Sequence, residues 1–427
     1  MADFDLIILG AGPGGYTCAH RALALGLTVA VVDPGPPGGV CLNHGCIPTK
    51  GLLNGPHPDG FSHRVAENAA AIARLRRGVE SFMKGATRIT GAGRLTGPGS
   101  VHVDGHGPIT AEHIVIATGS KPVALPKLPF DGTSVLSSDH ALGLERAPET
   151  LAIVGAGAVG LEFADIFHAY GTRVTVIEAK DRLLPEMDPW FAKHVGRAFK
   201  QKGIAVRTGA KVIGAHGGEG SAMLKVSGAD GDDILETAAV LVAIGRRPDP
   251  SDLGLETVGV DAPGGIIPVA ENCRTAAPGV WAIGDATGPP QLAHRAMAMG
   301  EIVAEAIAGR NPLPLAAQRI PYCVYIHPQA AAVGRGPEEG MKTSEATFQG
   351  DGLAVVTGHT EGGVRLIADA GRIVGAQMVG HGVTEWAGLL DALIDAGVTA
   401  DALGNAIFPH PTMSETVRRA ARGLEGG

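Results

Sequence analysis

Cys41 and Cys46 stand with four residues between them in the run GGVCLNHGCIPTK, Gly38 to Lys50. A pair this close can meet the Cα separation of at most about 7 Å that a disulfide needs, across one helical turn or a tight loop. Such a loop is small and open to thiol exchange. Two structural thiols, or half of a metal site, fit the same spacing. A metal site needs further ligands, and Cys18, Cys273 and Cys323 are scattered singles, so neither a cysteine cluster for zinc or iron nor any other metal is expected. A structural staple would close a longer loop in a secreted chain, whereas this sequence starts MADFDLIILG with no basic n-region and no cleavable apolar stretch. A cytoplasmic location, and with it a catalytic or redox-sensing pair, is the expectation.

The elements that must position this pair come from a long-period repeat. Asp5 to Asp33 reads as strand DLIILG, a turn with Gly10, Gly12 and Gly15, an Ala/Leu-rich helix, and strand LTVAVVD ending in Asp33. Leu151 to Glu178 repeats the plan with strand LAIVG, glycines Gly155, Gly157 and Gly160, helix LEFADIFHAYG, and strand TRVTVIE ending in Glu178. Each copy is a βαβ unit in which the first two glycines are expected to let backbone approach a pyrophosphate and the third to let helix pack on strand. The phosphates would then lie at the helix N-terminus, and Asp33 and Glu178 would accept hydrogen bonds from an adenosine ribose. Two copies, each with its acid, predict two dinucleotide sites. The first adjoins the cysteines, which exchange electrons with a flavin, and is assigned to FAD. Glu178 repels a 2′-phosphate and Ala179, Lys180 and Asp181 lack paired arginines, so NAD is assigned to the second; Lys180 is the one cation that pulls toward NADP.

Composition agrees with a folded α/β chain. Its 427 residues are 45% hydrophobic but only 4% aromatic, so the cores are expected to be aliphatic. A net charge of −8 argues against a nucleic-acid footprint or an anionic membrane surface, and no apolar run is long enough for a membrane span. IVIATGS, containing Gly119, and LVAIGRRPD, containing Gly245, read as junctions where the chain passes between nucleotide domains. VWAIGDATG places Asp285 at a strand end, suited to a flavin's ribityl chain or to capping the following helix. The expected domains are 1–119 with 245–315 for FAD, 120–244 for NAD, and 319–427, an α+β unit with strands LAVVTG, VRLIAD and RIVGAQMVG and helices through EWAGLLDALIDAG and SETVRRAARGL.

These motifs, with Leu161-Glu162, the LAH helix and the C-terminal HPTMSE (His410 to Glu415), resemble the pyridine nucleotide–disulfide oxidoreductase family over nearly the whole chain, most of all its dihydrolipoamide dehydrogenases. The resemblance implies that Cys41 exchanges with a dithiol substrate while Cys46 lies against the flavin as a charge-transfer thiolate. It implies His410 as base, Glu415 as the carboxylate that orients it, and Lys50 paired with Glu162 beside flavin and nicotinamide. It further implies a homodimer with the active site shared between subunits, a C-terminal dimer interface, and a lipoyl-carrying protein as partner. The implied activity is oxidation of protein-bound dihydrolipoamide by NAD through the Cys41–Cys46 disulfide and FAD, with NADH-dependent reduction of another disulfide as the alternative. A non-catalytic flavin-binding protein would be expected to lack Cys41, Cys46, Lys50 or His410, and all four are present.

Three departures stand out. Val40 replaces the threonine usual in relatives, and Phe408-Pro409 precede His410 where a further histidine and a small residue are common. Gly55-Pro56 and Pro58-Asp-Gly60 are expected to end the helix after Lys50 within little more than one turn, where relatives carry a pair of long helices. A wider entrance to the disulfide, admitting a bulkier or differently carried substrate, is the expectation that this shortening raises.

Overall fold

The structure, a computed structural model, describes residues 2–126, 128–218, 221–229 and 231–424. The outer bounds of the expected domains, at 1 and 427, lie outside these. The chain divides into two compact units, one of Met1–Val123, Ser138–Glu145 and Gly245–Leu315, the other of Ala124–Ser137, Arg146–Ile244 and Ala316–Gly427. The stretches expected as nucleotide domain 120–244 and interface domain 319–427 thus fall largely within one unit.

In the first unit the sequence runs β1 (Phe4–Leu9), α1 (Pro13–Ala24), β2 (Val29–Asp33), α2 (Gly39–His44), α3 (Cys46–Leu53), α4 (Phe61–Phe82) and β3 (Thr87–Thr90), then β4 (Gly93–Gly97), β5 (Ser100–Val103) and β6 (Gly107–Ile116). A parallel sheet is ordered β3-β2-β1-β6, with strand Val280–Ala282 parallel to the end of β6. The antiparallel hairpin β4–β5 continues it from the first half of β6. Strand periodicity gives the sheet two apolar faces: Leu6 and Ile8 pack with Cys18, Ala19 and Ala22 of α1, while Ile7 and Leu9 pack with Leu95, Val101 and Val103 of the hairpin. β1 is therefore an almost unbroken apolar run. Each such buried aliphatic side chain contributes roughly 1.5–3 kcal/mol.

The expected early stop after the cysteine box is only partly right. α3 begins at Cys46, not at Lys50, so its eight residues make about two turns before Asn54 caps it. Gly55 and Gly60 take φ of +92° and +94°, a region that suits glycine, and the chain then enters the 22-residue α4. The second long helix is present. Only the first is short.

The second unit repeats the parallel plan in the order Ala205–Arg207, Arg173–Ile177, Thr150–Val154, Ala239–Val242, Val135–Leu136. Three antiparallel strands, Lys211–Gly218, Ser221–Gly228 and Gly231–Thr237, form a separate sheet. The C-terminal stretch builds a five-stranded antiparallel sheet ordered Tyr322–Val324, Gln329–Gly334, Arg372–Gly380, Gly363–Asp369, Lys342–Thr347. LAVVTG is not a strand. It lies in the helix Gly352–Thr357, where the Asp351 carboxylate accepts from Ala354 N at 3.1 Å and Gly358 closes the end with φ +75°. Val355 and Val356 are exposed, so no sheet face claims them and the two caps decide the conformation.

Asp351 is itself 1% exposed and also accepts from Thr416 Oγ1 and Arg419 Nη2, both at 3.3 Å, which ties this turn to the last helix, Glu415–Arg422. Asp351→Ala removes a cap and leaves the Arg419 guanidinium without this carboxylate. It is expected to cost about 3 kcal/mol, seen as a lower calorimetric unfolding midpoint; an unchanged midpoint would refute the role.

Candidate active site

The two glycine turns are built alike. A Cβ on Gly10 would lie 2.3 Å from Ala117 O and one on Gly15 1.9 Å from Gly10 O; on Gly155 and Gly160 the figures are 2.4 Å from Ala243 O and 2.0 Å from Gly155 O. The first and third glycines therefore satisfy the chain's own packing. Any approach of the first glycine to a pyrophosphate comes on top of that packing role. Only the second is open: a Cβ on Gly12 meets nothing nearer than 3.8 Å, and one on Gly157 meets nothing within 4 Å. Gly12 and Gly157 are also the N-caps of α1 and of helix Ala158–Ala169, and neither helix has a side-chain cap. Open space before uncapped N–H groups fits the pyrophosphate of a dinucleotide.

The strand-end acids do something the sequence did not announce. Asp33 accepts from Ala11 N at 2.6 Å and Gly35 N at 2.7 Å; Glu178 accepts from Ala156 N at 2.7 Å and Lys180 N at 2.8 Å. Each carboxylate clamps its own glycine turn. Each oxygen keeps a second lone pair for a ribose hydroxyl.

Asp285 lies in the 3-10 turn Gly284–Thr287, and the next helix, Ala293–Ile307, is capped at Leu292, so the helix-capping role does not hold. Instead Ser120 Oγ donates to Asp285 at 2.6 Å, and Arg246 donates to Ser120 Oγ at 3.0 Å and to Ser120 O at 2.8 Å. Lys121-Pro122 and Arg246-Arg247 pair as a short antiparallel ladder, reinforced by Val123 N donating to Gly245 O at 3.0 Å. The two predicted junctions, with Gly119 at φ +77° and Gly245 at φ +128°, thus meet. Ser120 and Arg246 went unnoticed because only folding brings them to Asp285.

Cys41 sits in α2, and Cys46 is the first residue of α3, at the positive end of an uncapped helix that favours a thiolate. The two stand as thiols hydrogen-bonded to each other. The Cys41 thiol is pushed well above the ordinary range, mostly by its hydrogen bond to Cys46, then by burial and the Cys46 charge; Lys50 pulls the other way. Cys41 thus keeps its proton unless a base removes it. Tyr16 on α1 is a neighbour that sequence reading missed: burial first, then the two cysteines, push its phenol up to about 12, so it stays neutral. Burial likewise pushes Cys18 and Cys273 up to about 12.

In the second unit His410 Nδ1 lies 3.0 Å from Glu415 Oε2, and Thr412 N donates to the same oxygen at 3.1 Å. The Thr412 amide above all, with the His410 contact, holds the Glu415 carboxyl below its usual range, so it is ionised at neutral pH. The His410 ring is 77% exposed. Phe408 packs onto the C-terminal core. Glu162 is buried and accepts from Tyr325 N at 3.0 Å. Lys50 belongs to the first unit, and Glu162, His410 and Glu415 to the second.

Residues 4–300 match the pyridine nucleotide-disulphide oxidoreductase family and residues 320–421 its dimerisation domain. The chain belongs to the pyridine nucleotide-disulfide oxidoreductases. It is 38% identical over 454 residues to a dihydrolipoyl dehydrogenase of Chlorobaculum tepidum, covering 98% of this chain and 97% of that one. It is also 38% identical over 469 residues to that of Bacillus subtilis, covering 99% and 98%. Among solved structures, the HOCl-induced flavoprotein disulfide reductase RclA of Escherichia coli superposes with a TM-score of 0.90 at 27% identity, covering 99% of this chain and 100% of that one.

This oxidoreductase uses FAD and NAD, and it carries the family's dimerisation domain. No helix among the described residues is long and apolar enough to cross a membrane. The glycine geometry separates binding from folding. Gly12→Ala is expected to leave thermal stability nearly unchanged while lowering the flavin-to-protein ratio after gel filtration, whereas Gly15→Ala should cost about 1–3 kcal/mol or more of stability. Equal effects of the two substitutions would overturn the division.

Proposed function

We propose that the protein oxidises protein-bound dihydrolipoamide with NAD in the cytoplasm, through a redox disulfide of Cys41 and Cys46. The observation that carries this reading is the paired thiols at the head of α3, in a chain similar end to end to dihydrolipoyl dehydrogenases. Gly10, Gly12, Gly15, Asp33, Gly119 and Asp285 hold FAD in this reading, and Gly155, Gly157, Gly160, Glu178 and Gly245 serve NAD, with 319–427 as the dimer interface. Bound FAD supplies a two-electron relay from the dithiol to NAD.

The residues divide the remaining work. A substrate sulfur attacks Cys41, the Cys41–Cys46 bond breaks, and its electron pair stays on Cys46 at the helix N-terminus. The second substrate sulfur then displaces Cys41, which releases oxidised lipoamide and leaves the reduced pair. The two substrate protons need acceptors: His410, oriented by Glu415, takes the first, and the departing Cys41 sulfur takes the second. In the proposed homodimer it is the partner subunit's His410 that does so. By the resemblance to relatives, Lys50 and Glu162 are assigned to the flavin and nicotinamide chemistry in this reading.

A second reading, NADH-dependent reduction of a different disulfide, is favoured by the likeness to RclA and by the short α3, which widens the entrance in this proposal. Anaerobic titration of the flavoprotein with dihydrolipoamide is expected to raise a long-wavelength thiolate-to-flavin band; its absence with FAD intact would sink the role of Cys46. His410→Ala is expected to lower turnover roughly 10²–10⁴-fold with flavin content unchanged. Turnover on lipoyl-carrier domains well above that on unrelated disulfides decides for the first reading, and the reverse order for the second.

A further inference from the structure

The turn between α3 and α4 brings together three side chains that the redox chemistry does not use. We propose that His57, Asp59 and His63 form a binding site for one divalent transition-metal cation of the zinc class. One nitrogen from each imidazole and one Asp59 oxygen all lie within 4.8 Å of one another. Asp59 Oδ2 stands 3.7 Å from His57 Nδ1 and 4.0 Å from His63 Nε2, and the two rings stack at 4.7 Å between centroids, 11° apart in plane. Neighbouring ligands of a tetrahedral zinc at 2.0–2.2 Å are about 3.4 Å apart, so the two Asp59–histidine pairs close on a cation by roughly 0.3–0.6 Å, while the stacked imidazoles, in a set up to 4.8 Å across, must also tilt so that their in-plane lone pairs converge.

The surroundings already prepare His57 for this role. Asp59 N donates to His57 Nδ1 at 3.1 Å, which places the lone pair on Nδ1 and the proton on Nε2. Nε2 in turn faces Glu67 Oε1 at 3.4 Å. A carboxylate behind the second ring nitrogen is the arrangement that fixes tautomer and orientation in metal-bound histidines. Glu67 is held by Arg64 at 2.9 Å, and Arg64 donates to Gly55 O at 3.3 Å, so the support closes back on the turn. A cation takes over the lone pair that now receives the Asp59 amide.

Two imidazoles and one carboxylate, without thiolate, suit Zn²⁺, Cu²⁺, Ni²⁺ or Co²⁺ rather than the oxygen-loving Ca²⁺ or Mg²⁺. Asp59 and His63 are exposed, so the cation arrives directly from solvent, and water completes the shell. The site spans the chain between α3, which begins at Cys46, and α4, whose Asn68 already holds Pro48 O at 3.0 Å. The expectation of no metal came from the cysteines alone. The spacing His-x-Asp-x₃-His lies in the segment where this chain departs from its relatives.

The test is calorimetric titration of the chelator-stripped, oxidised holoenzyme with Zn²⁺. One equivalent per chain is expected, at least tenfold weaker in His57→Ala and in His63→Ala and roughly tenfold weaker in Glu67→Gln, with flavin content and turnover unchanged. The equivalent must persist in Cys41→Ser, which rules out binding by the redox pair acting together. Cu²⁺ electron paramagnetic resonance of the unaltered protein, which needs no variant, is expected to show coupling to two imidazole nitrogens. The site is overturned by no binding, by a less than tenfold loss in either histidine variant, by loss of the equivalent in Cys41→Ser, or by a Cu²⁺ spectrum without two nitrogens.

Discussion

The absence of a side chain at four positions is the constraint on which the nucleotide-binding parts of this molecule depend. At Gly15 and Gly160 the helix rests on the carbonyl of the glycine that opened the turn, and at Gly10 and Gly155 the turn rests on the strand crossing beside it. No larger residue fits without moving backbone. That close approach sets the helix N-terminus over the carboxyl end of the parallel sheet, where unclaimed N–H groups and the dipole meet an anion. The carboxylates of Asp33 and Glu178 then lock each turn from the far strand.

The thiol pair is governed by a different balance. One thiol begins a helix and the other donates to it, so the proton rests on Cys41. Lys50 opposes this from one turn along the same helix. An asymmetric pair of this kind distinguishes the two sulfurs, and Cys41 needs a base before it can react as a thiolate. The His410–Glu415 contact, with the Thr412 amide keeping the carboxylate charged, has the chemistry to serve as one.

Much of this was legible in the sequence, for local reasons. Glycine spacing, strand-end acids and the box around Cys41 and Cys46 are short-range patterns whose physics acts within one βαβ unit. What stayed hidden was of two kinds. Arg246, Ser120 and Asp285 join only after the two junctions pair, and no periodicity reports on a contact between residues 165 apart. LAVVTG looked like a strand because its valines favour one, but Asp351 and Gly358 cap a helix and no sheet edge competes. The helix after the box was misjudged at its start rather than its stop, since Cys46 already belongs to it.

The clamp by Glu178 bears on redesign of coenzyme preference. The usual route to a 2′-phosphate acceptor replaces the acid at the end of the second strand by a small or basic residue. In this protein that acid also holds the amides of Ala156 and Lys180, so the exchange would loosen the loop it was meant to retune. Altered selectivity is better sought in the side chains just beyond, beginning with Lys180, with the carboxylate left where it is.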